Sequence, residues 1–173
     1  LETGEPAISN CMEAFESRKH IVTSNKGPAA LAYKKMKDLA DKYNVMFMIE
    51  GTVMSGTPVL NLTSGPLAGC RISSAKGILN GTTNYILSEM ENGMEYKDAL
   101  KKAQELGYAE ADPTGDVEGY DARAKVTILA NVVMGVPCLL NEVTCEGISA
   151  ITAGVIQNAR ENNSRWKLIG NVE

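Results

Sequence analysis

Five carboxylates fall within twelve residues of the run Gly107-Tyr108-Ala109-Glu110-Ala111-Asp112-Pro113-Thr114-Gly115-Asp116-Val117-Glu118-Gly119-Tyr120-Asp121. Negative charge at that density can hold an ammonium group or a metal cation, or it can simply be solvated. Proline and glycine interrupt the run and argue against a helix, so composition alone reads it as a turn-rich loop. The helix expected after the run adds chemistry. Asp121 and Lys125 are four apart and share a helix face. Beyond them Val126, Ile128, Leu129, Ala130, Val132 and Val133 make the helix apolar nearly all round, so it must be buried. A lysine at the head of such a helix is either an ordinary salt-bridged residue or a placed proton donor. Periodicity does not choose between the two. The acidic spacing does not follow the D-x-D-x-D-G pattern of a calcium loop closed by a glutamate at its twelfth position.

Two further stretches could meet a ligand. Thr23-Ser24-Asn25-Lys26 lies just beyond the carboxyl end of an expected parallel strand, where ligands of open sheets collect. Leu79-Asn80-Gly81-Thr82-Thr83-Asn84-Tyr85-Ile86-Leu87 reads as a capped helix start, with Asn80 or Thr82 as the cap. Its free N–H groups could face an anion such as a carboxylate.

The elements that must position these residues are read from periodicity. Ile8, Cys11, Met12 and Phe15 are helically spaced after Pro6. A strand over His20-Ile21-Val22-Thr23 comes next, then one helix carrying Leu31, Met36, Leu39, Ala40 and Tyr43. Val45 to Ile49 reads as a fully buried strand. Helix, strand, helix, strand is the order of an open parallel sheet. From Glu50 the character changes: glycine, threonine and serine crowd residues 51–69, and Arg71 to Ala75 alternates like a strand. Helices are expected over Thr82–Met90, Lys97–Leu106 (closed by Gly107), Asp121–Met134 and Ile148–Asn158, with a strand over Trp166–Ile169.

Composition excludes several classes. A chain of 173 residues buries roughly 70% of its unfolded surface, enough for a proper core. A net charge of −4 with no basic stripe argues against nucleic acid as a partner. No apolar run approaches the roughly 20 residues of a membrane span. Cys11, Cys70, Cys138 and Cys145 form no CxxC pair, and His20 is the only histidine, which excludes an ordinary zinc site. The cysteines read as reduced thiols of a cytosolic protein. Acid–base work falls to Lys, Asp, Glu or Tyr.

Four blocks then resemble homoserine dehydrogenase in order and spacing: Thr23 to Lys26, Glu50-Gly51-Thr52-Val53, Gly77 to Leu87, and Gly107 to Lys125. The resemblance covers nearly the whole chain, and the last two blocks are long and unusual. It implies NAD(P)-dependent interconversion of L-homoserine and L-aspartate 4-semialdehyde, in cytoplasmic threonine and methionine synthesis, by a homodimer. Carried over by position, Lys125 is the catalytic lysine and Asp121 its companion. Gly107, Glu110 and Asp116 contact the substrate, and Lys26 lies near the nicotinamide of NAD or NADP. A monovalent cation, sodium in type, is assigned to Glu50 and to Val53, Ser55 and Thr57, partly through backbone carbonyls. An ammonium-bearing substrate asks for carboxylates such as Glu110 and Asp116. A protonated lysine can stabilise and protonate the oxygen on which charge builds during aldehyde reduction.

The fold implied is α/β. Residues 1–49 are expected to be the carboxyl-terminal part of a Rossmann-type nucleotide-binding domain. Residues 50–173 are expected to form an α+β substrate-binding, catalytic and dimerisation domain with a mixed sheet. The sequence holds no G-x-G-x-x-G and opens on Leu1 without an initiator methionine, so a fragment, inactive by itself, is expected. Two other readings compete: a non-catalytic amino-acid-binding or dimerisation module, and a lyase-type enzyme with a metal on the acidic loop.

Overall fold

Cys11 and Phe15 are the buried side chains of α1 (Ala7–Glu16), as their helical spacing requires. A computed structural model describes residues 3–173. After α1 come β1 (Ile21–Val22), α2 (Lys26–Leu31), α3 (Tyr33–Tyr43) and β2 (Phe47–Met48). The two strands pair in parallel, Ile21 with Phe47 and Val22 with Met48. The α/β order expected from the sequence is therefore present. Where one helix was expected there are two, because Ala32 leaves helical dihedrals at φ −141°. Asn44 then ends α3 in the left-handed region, which asparagine tolerates better than most residues.

Cys11, Phe15, Met36 and Ala40 form the core here, with Ile21 and Phe47 packed on it from the strands. Phe15 meets Phe47 edge to face at 5.7 Å. The strand over Val45–Ile49 is not fully buried as expected. Ile21 and Phe47 face the helices, while Met46, Met48 and Val22 are exposed. Helices α1 and α3 pack on one face of the strand pair, while Val22 and Met48 on the other face are exposed.

Residues 51–69, where glycine, threonine and serine crowd and no element was expected, contain α4 (Gly51–Met54) and α5 (Val59–Ser64). Glu50 explains part of this, since its carboxylate accepts from the N–H groups of Leu60 (2.9 Å) and Asn61 (2.6 Å). Those donors would otherwise be unsatisfied in the first turn of α5.

Beyond α5 two expected strands shift. Arg71–Ala75 is largely irregular, and β3 covers Ala75–Gly77. The strand expected over Trp166–Ile169 begins later, as β4 (Gly170–Val172), and pairs with β3. Alternation of side chains marked extended chain at Arg71–Ala75, but hydrogen-bond partners decide which residues join a ladder.

The chain divides into two units. One comprises the residues through Ala75 with 124–143 and 171–173, and the other comprises 76–123 and 144–170. The division expected near residue 49 lies within the first.

In the second unit α6 (Gly81–Glu91) and α7 (Tyr96–Glu105) pack through Ile86, Leu87, Met90, Ala99 and Ala103. Gly107 closes α7 at φ +76°, a conformation that favours glycine. The acidic run is not free of helix, as its Pro and Gly suggested. It holds the single turn α8 (Thr114–Val117), which Pro113 precedes and the Asp112 carboxylate caps through the Thr114 N–H at 3.1 Å. Proline lacks an N–H and is tolerated at a helix start.

Helix α9 (Tyr120–Val132) comes next, matching the expected apolar helix. The helix expected from Ile148 starts only at α10 (Ala153–Glu161), capped by the Thr152 hydroxyl. Ile148 is buried, but its N–H goes to the Val117 carbonyl at 2.7 Å instead of into a helix.

Candidate functional site

Asn80 precedes α6 in an extended conformation, the geometry of an N-cap. Its Oδ1 accepts from the Thr83 N–H at 2.8 Å and from the Thr83 hydroxyl at 2.9 Å. Its Nδ2 donates in the opposite direction, to Asp116 Oδ1 at 2.7 Å and to Asp121 Oδ2 at 3.1 Å. Asn80 is only 4% exposed. Two carboxylates of the acidic run, one on α8 and one on the first turn of α9, thus meet on a single buried amide.

Neighbouring contacts shape the run that carries them. The Thr82 hydroxyl donates to the Tyr108 carbonyl at 2.6 Å, and the Tyr85 and Tyr108 rings lie 4.9 Å apart. Gln104 Nε2 donates to the carbonyls of Glu110 (3.0 Å) and Ala111 (3.3 Å). The loop is therefore tied to α6 and α7 at several points.

Of the residues singled out in the sequence, Asp116 and Asp121 are brought together. Glu110 is exposed on the loop that leads to them. Gly107 closes α7 with open space where a Cβ would stand. Lys125 is half-buried on α9, four residues beyond Asp121. Lys26 is the first residue of α2, just after Asn25, whose side chain accepts from the Gly27 N–H at 2.8 Å. Val53 is buried in α4, Ser55 ends that helix at φ +51°, and the Thr57 carbonyl accepts from the Val59 N–H.

Asn80 itself was legible only as a cap. Any of Asn, Asp or Ser would serve there, and nothing local signals that its amide N–H groups are committed elsewhere. Chemically, two clustered carboxylates suit a cationic group such as a substrate ammonium. Among the described residues no three His, Cys, Asp or Glu side chains gather as a metal site would need. Within the run the hydroxyl and then the backbone N–H of Thr114 hold the Asp112 carboxyl below its usual range.

Comparison with known proteins bears on what this site belongs to. The homoserine dehydrogenase family model matches residues 58–173. An NAD(+)-dependent homoserine dehydrogenase of Pseudomonas canavaninivorans is 54% identical over 167 residues, 96% of this chain and 47% of its own. The crystal structure of a homoserine dehydrogenase from Thiobacillus denitrificans matches with a TM-score of 0.92 at 42% identity, over 96% of this chain and 39% of that one. A hyperthermophilic archaeal homoserine dehydrogenase mutant in complex with NADPH matches with a TM-score of 0.84 at 32% identity, over 97% of this chain and 49% of that one. The chain spans about half the length of the curated relatives it matches. With the match to the family model covering most of the chain, it belongs to the homoserine dehydrogenase family.

Proposed function

We propose that this chain forms the substrate-binding and catalytic part of an enzyme that interconverts L-homoserine and L-aspartate 4-semialdehyde. The observation that carries this reading is the meeting of Asp116 and Asp121 on Asn80, with Lys125 following Asp121 on α9. In it Glu110 and Asp116 attract the substrate ammonium, and Gly107 leaves room for the substrate beside the loop. Lys125 holds a proton for the substrate oxygen and returns it in the other direction, while Asp121 orients the lysine.

NAD or NADP would supply or accept the hydride. The relatives' names point to both, one being NAD(+)-dependent and one carrying NADPH. Lys26 fits the nicotinamide end because it stands beyond the carboxyl end of β1 in a parallel pair. Residues 1–49 would complete a nucleotide-binding domain, and 50–173 would provide the substrate-binding and dimer-forming part. We further assign a monovalent cation to Val53, Ser55 and Thr57 with Glu50, whose carboxylate keeps lone pairs beyond those used on α5. In this reading the enzyme is a cytoplasmic homodimer serving threonine and methionine synthesis. No described helix is long and apolar enough to cross a membrane.

The test is turnover of aspartate 4-semialdehyde with NADH or NADPH by the full-length protein carrying this sequence. Lys125→Met should lower kcat by roughly 100- to 10,000-fold, the usual worth of a positioned acid–base group. Unchanged turnover in that variant rejects the assignment. Homoserine binding by the unaltered protein with no turnover would favour the non-catalytic module instead.

A further inference from the structure

Asn80 makes four hydrogen bonds through one side chain, and only the two on Oδ1 belong to capping α6. We infer that Asn80 is a positioning residue that holds the Asp116 and Asp121 carboxylates in their working arrangement. This rests on the proposed role of those two aspartates.

The choice of residue type supports the inference. Asn, Asp and Ser cap helices about equally well. Serine would satisfy the Thr83 N–H but offers no N–H pair for two acids. Aspartate would also cap, but it would set a third carboxylate against Asp116 and Asp121. Asparagine alone of the three accepts on one side and donates twice on the other. Its orientation is fixed by the network, because a flipped amide would point its NH2 at the Thr83 N–H and its oxygen at two carboxylates. At 4% exposure the amide has little access to water as an alternative partner.

The charge balance matters as well. A lysine or arginine in this place would neutralise the acids it gathered. A neutral amide brings two carboxylates to one point and leaves their negative charge available to a cationic ligand or a neighbouring lysine. Asp116 and Asp121 lie 36 and 41 residues from Asn80 in sequence, so the contact also fixes the end of the acidic run against the start of α6.

The experiment compares Asn80→Ser and Asn80→Asp in the full-length protein. Asn80→Ser keeps the cap, so its melting temperature should stay within a few degrees of the parent. Its kcat/KM should fall roughly 10- to 100-fold, the scale of one or two lost hydrogen bonds to charged groups. Asn80→Asp should fall further. The loss from Asn80→Ser should shrink in an Asp116→Asn background, because contacting residues are non-additive. A loss below about threefold, or one equal in both backgrounds, overturns the inference.

A second measurement does not depend on the variants of Asn80 folding. The two side-chain amide protons of Asn80 should give separate NMR signals, one moved by Asp116→Asn and the other by Asp121→Asn. If neither moves, Asn80 is only a cap. If Asp116→Asn and Asp121→Asn leave turnover intact, the proposed catalytic reading fails. If they impair it while Asn80→Ser does not, only the role given to Asn80 fails.

Discussion

The Ser149 hydroxyl donates to Glu118 Oε1 at 2.6 Å, tying a carboxylate of the acidic run to a residue 31 positions later. Glu118 thus differs from its neighbour Asp116, whose partner is the Asn80 amide. The two acids are close in sequence but serve different contacts. Glu118→Gln keeps an acceptor for Ser149, and we expect a stability change below about 1 kcal/mol. It should leave kcat/KM near the parent value. Glu110→Gln and Asp116→Asn should each lower kcat/KM roughly 30- to 150-fold, equivalent to about 2–3 kcal/mol, if they hold the substrate ammonium. Steady-state kinetics on the three variants decides this. Equal losses at all three would mean the loop acts through bulk charge.

That contrast shows what was legible in the sequence. Periodicity located α1, α6, α7 and α9 to within a residue or two, because each buries a stripe that its own spacing records. The order of β1 and β2 was legible for the same reason. Their half-exposed state was not, since a short apolar run does not say how many faces will be covered. A cap at Asn80 or Thr82 could be read from residue type, and the structure puts it at Asn80. Its bonds to Asp116 and Asp121 could not, because no local pattern records a partner some forty residues distant. The late start of α10 has the same origin: Ile148 is apolar and well spaced, yet its N–H is taken by Val117.

Gly147 marks a close approach of two backbone segments. A Cβ placed there would stand 2.4 Å from the Val117 oxygen and 2.6 Å from the Glu118 Cα. Both are backbone atoms and cannot swing aside. Gly147→Ala should therefore cost about 1–3 kcal/mol, the usual range for overpacking. Gly154→Ala is the control, because its Cβ would meet nothing nearer than the Thr152 hydroxyl at 3.8 Å. Within α10 that change should be neutral or slightly stabilising. Thermal melts of both variants check the claim, and a melting temperature for Gly147→Ala equal to the parent's would contradict it.

Asp112 gives a pH dependence with a definite sign. The Thr114 hydroxyl and backbone N–H favour its charged form, so its folded pKa lies below the ordinary 3.8. A depressed carboxylate contributes stability that is present above the unfolded value. That contribution is lost as the pH falls through the lower folded value. The backbone amide resonance of Thr114 should titrate with a midpoint under 3.8. In Asp112→Asn this acid-range step should vanish. A midpoint at or above the ordinary value would mean the cap on α8 does not persist in solution.

Glu50 has two assignments that one salt comparison can separate. Its carboxylate holds the first turn of α5 through the Leu60 and Asn61 N–H groups, and it is also proposed as part of a monovalent-cation site. Glu50→Gln replaces one acceptor oxygen with an NH2 that would face a backbone donor, so a loss of about 1–3 kcal/mol is expected in any buffer. Binding of sodium to the folded form adds stability that grows with the logarithm of its concentration over its dissociation constant. The parent protein should therefore melt higher in sodium chloride than in choline chloride at equal ionic strength. In Glu50→Gln that difference should shrink or disappear. Equal melting of the parent in the two salts would remove the cation from the proposed function and leave Glu50 as the distant cap of α5.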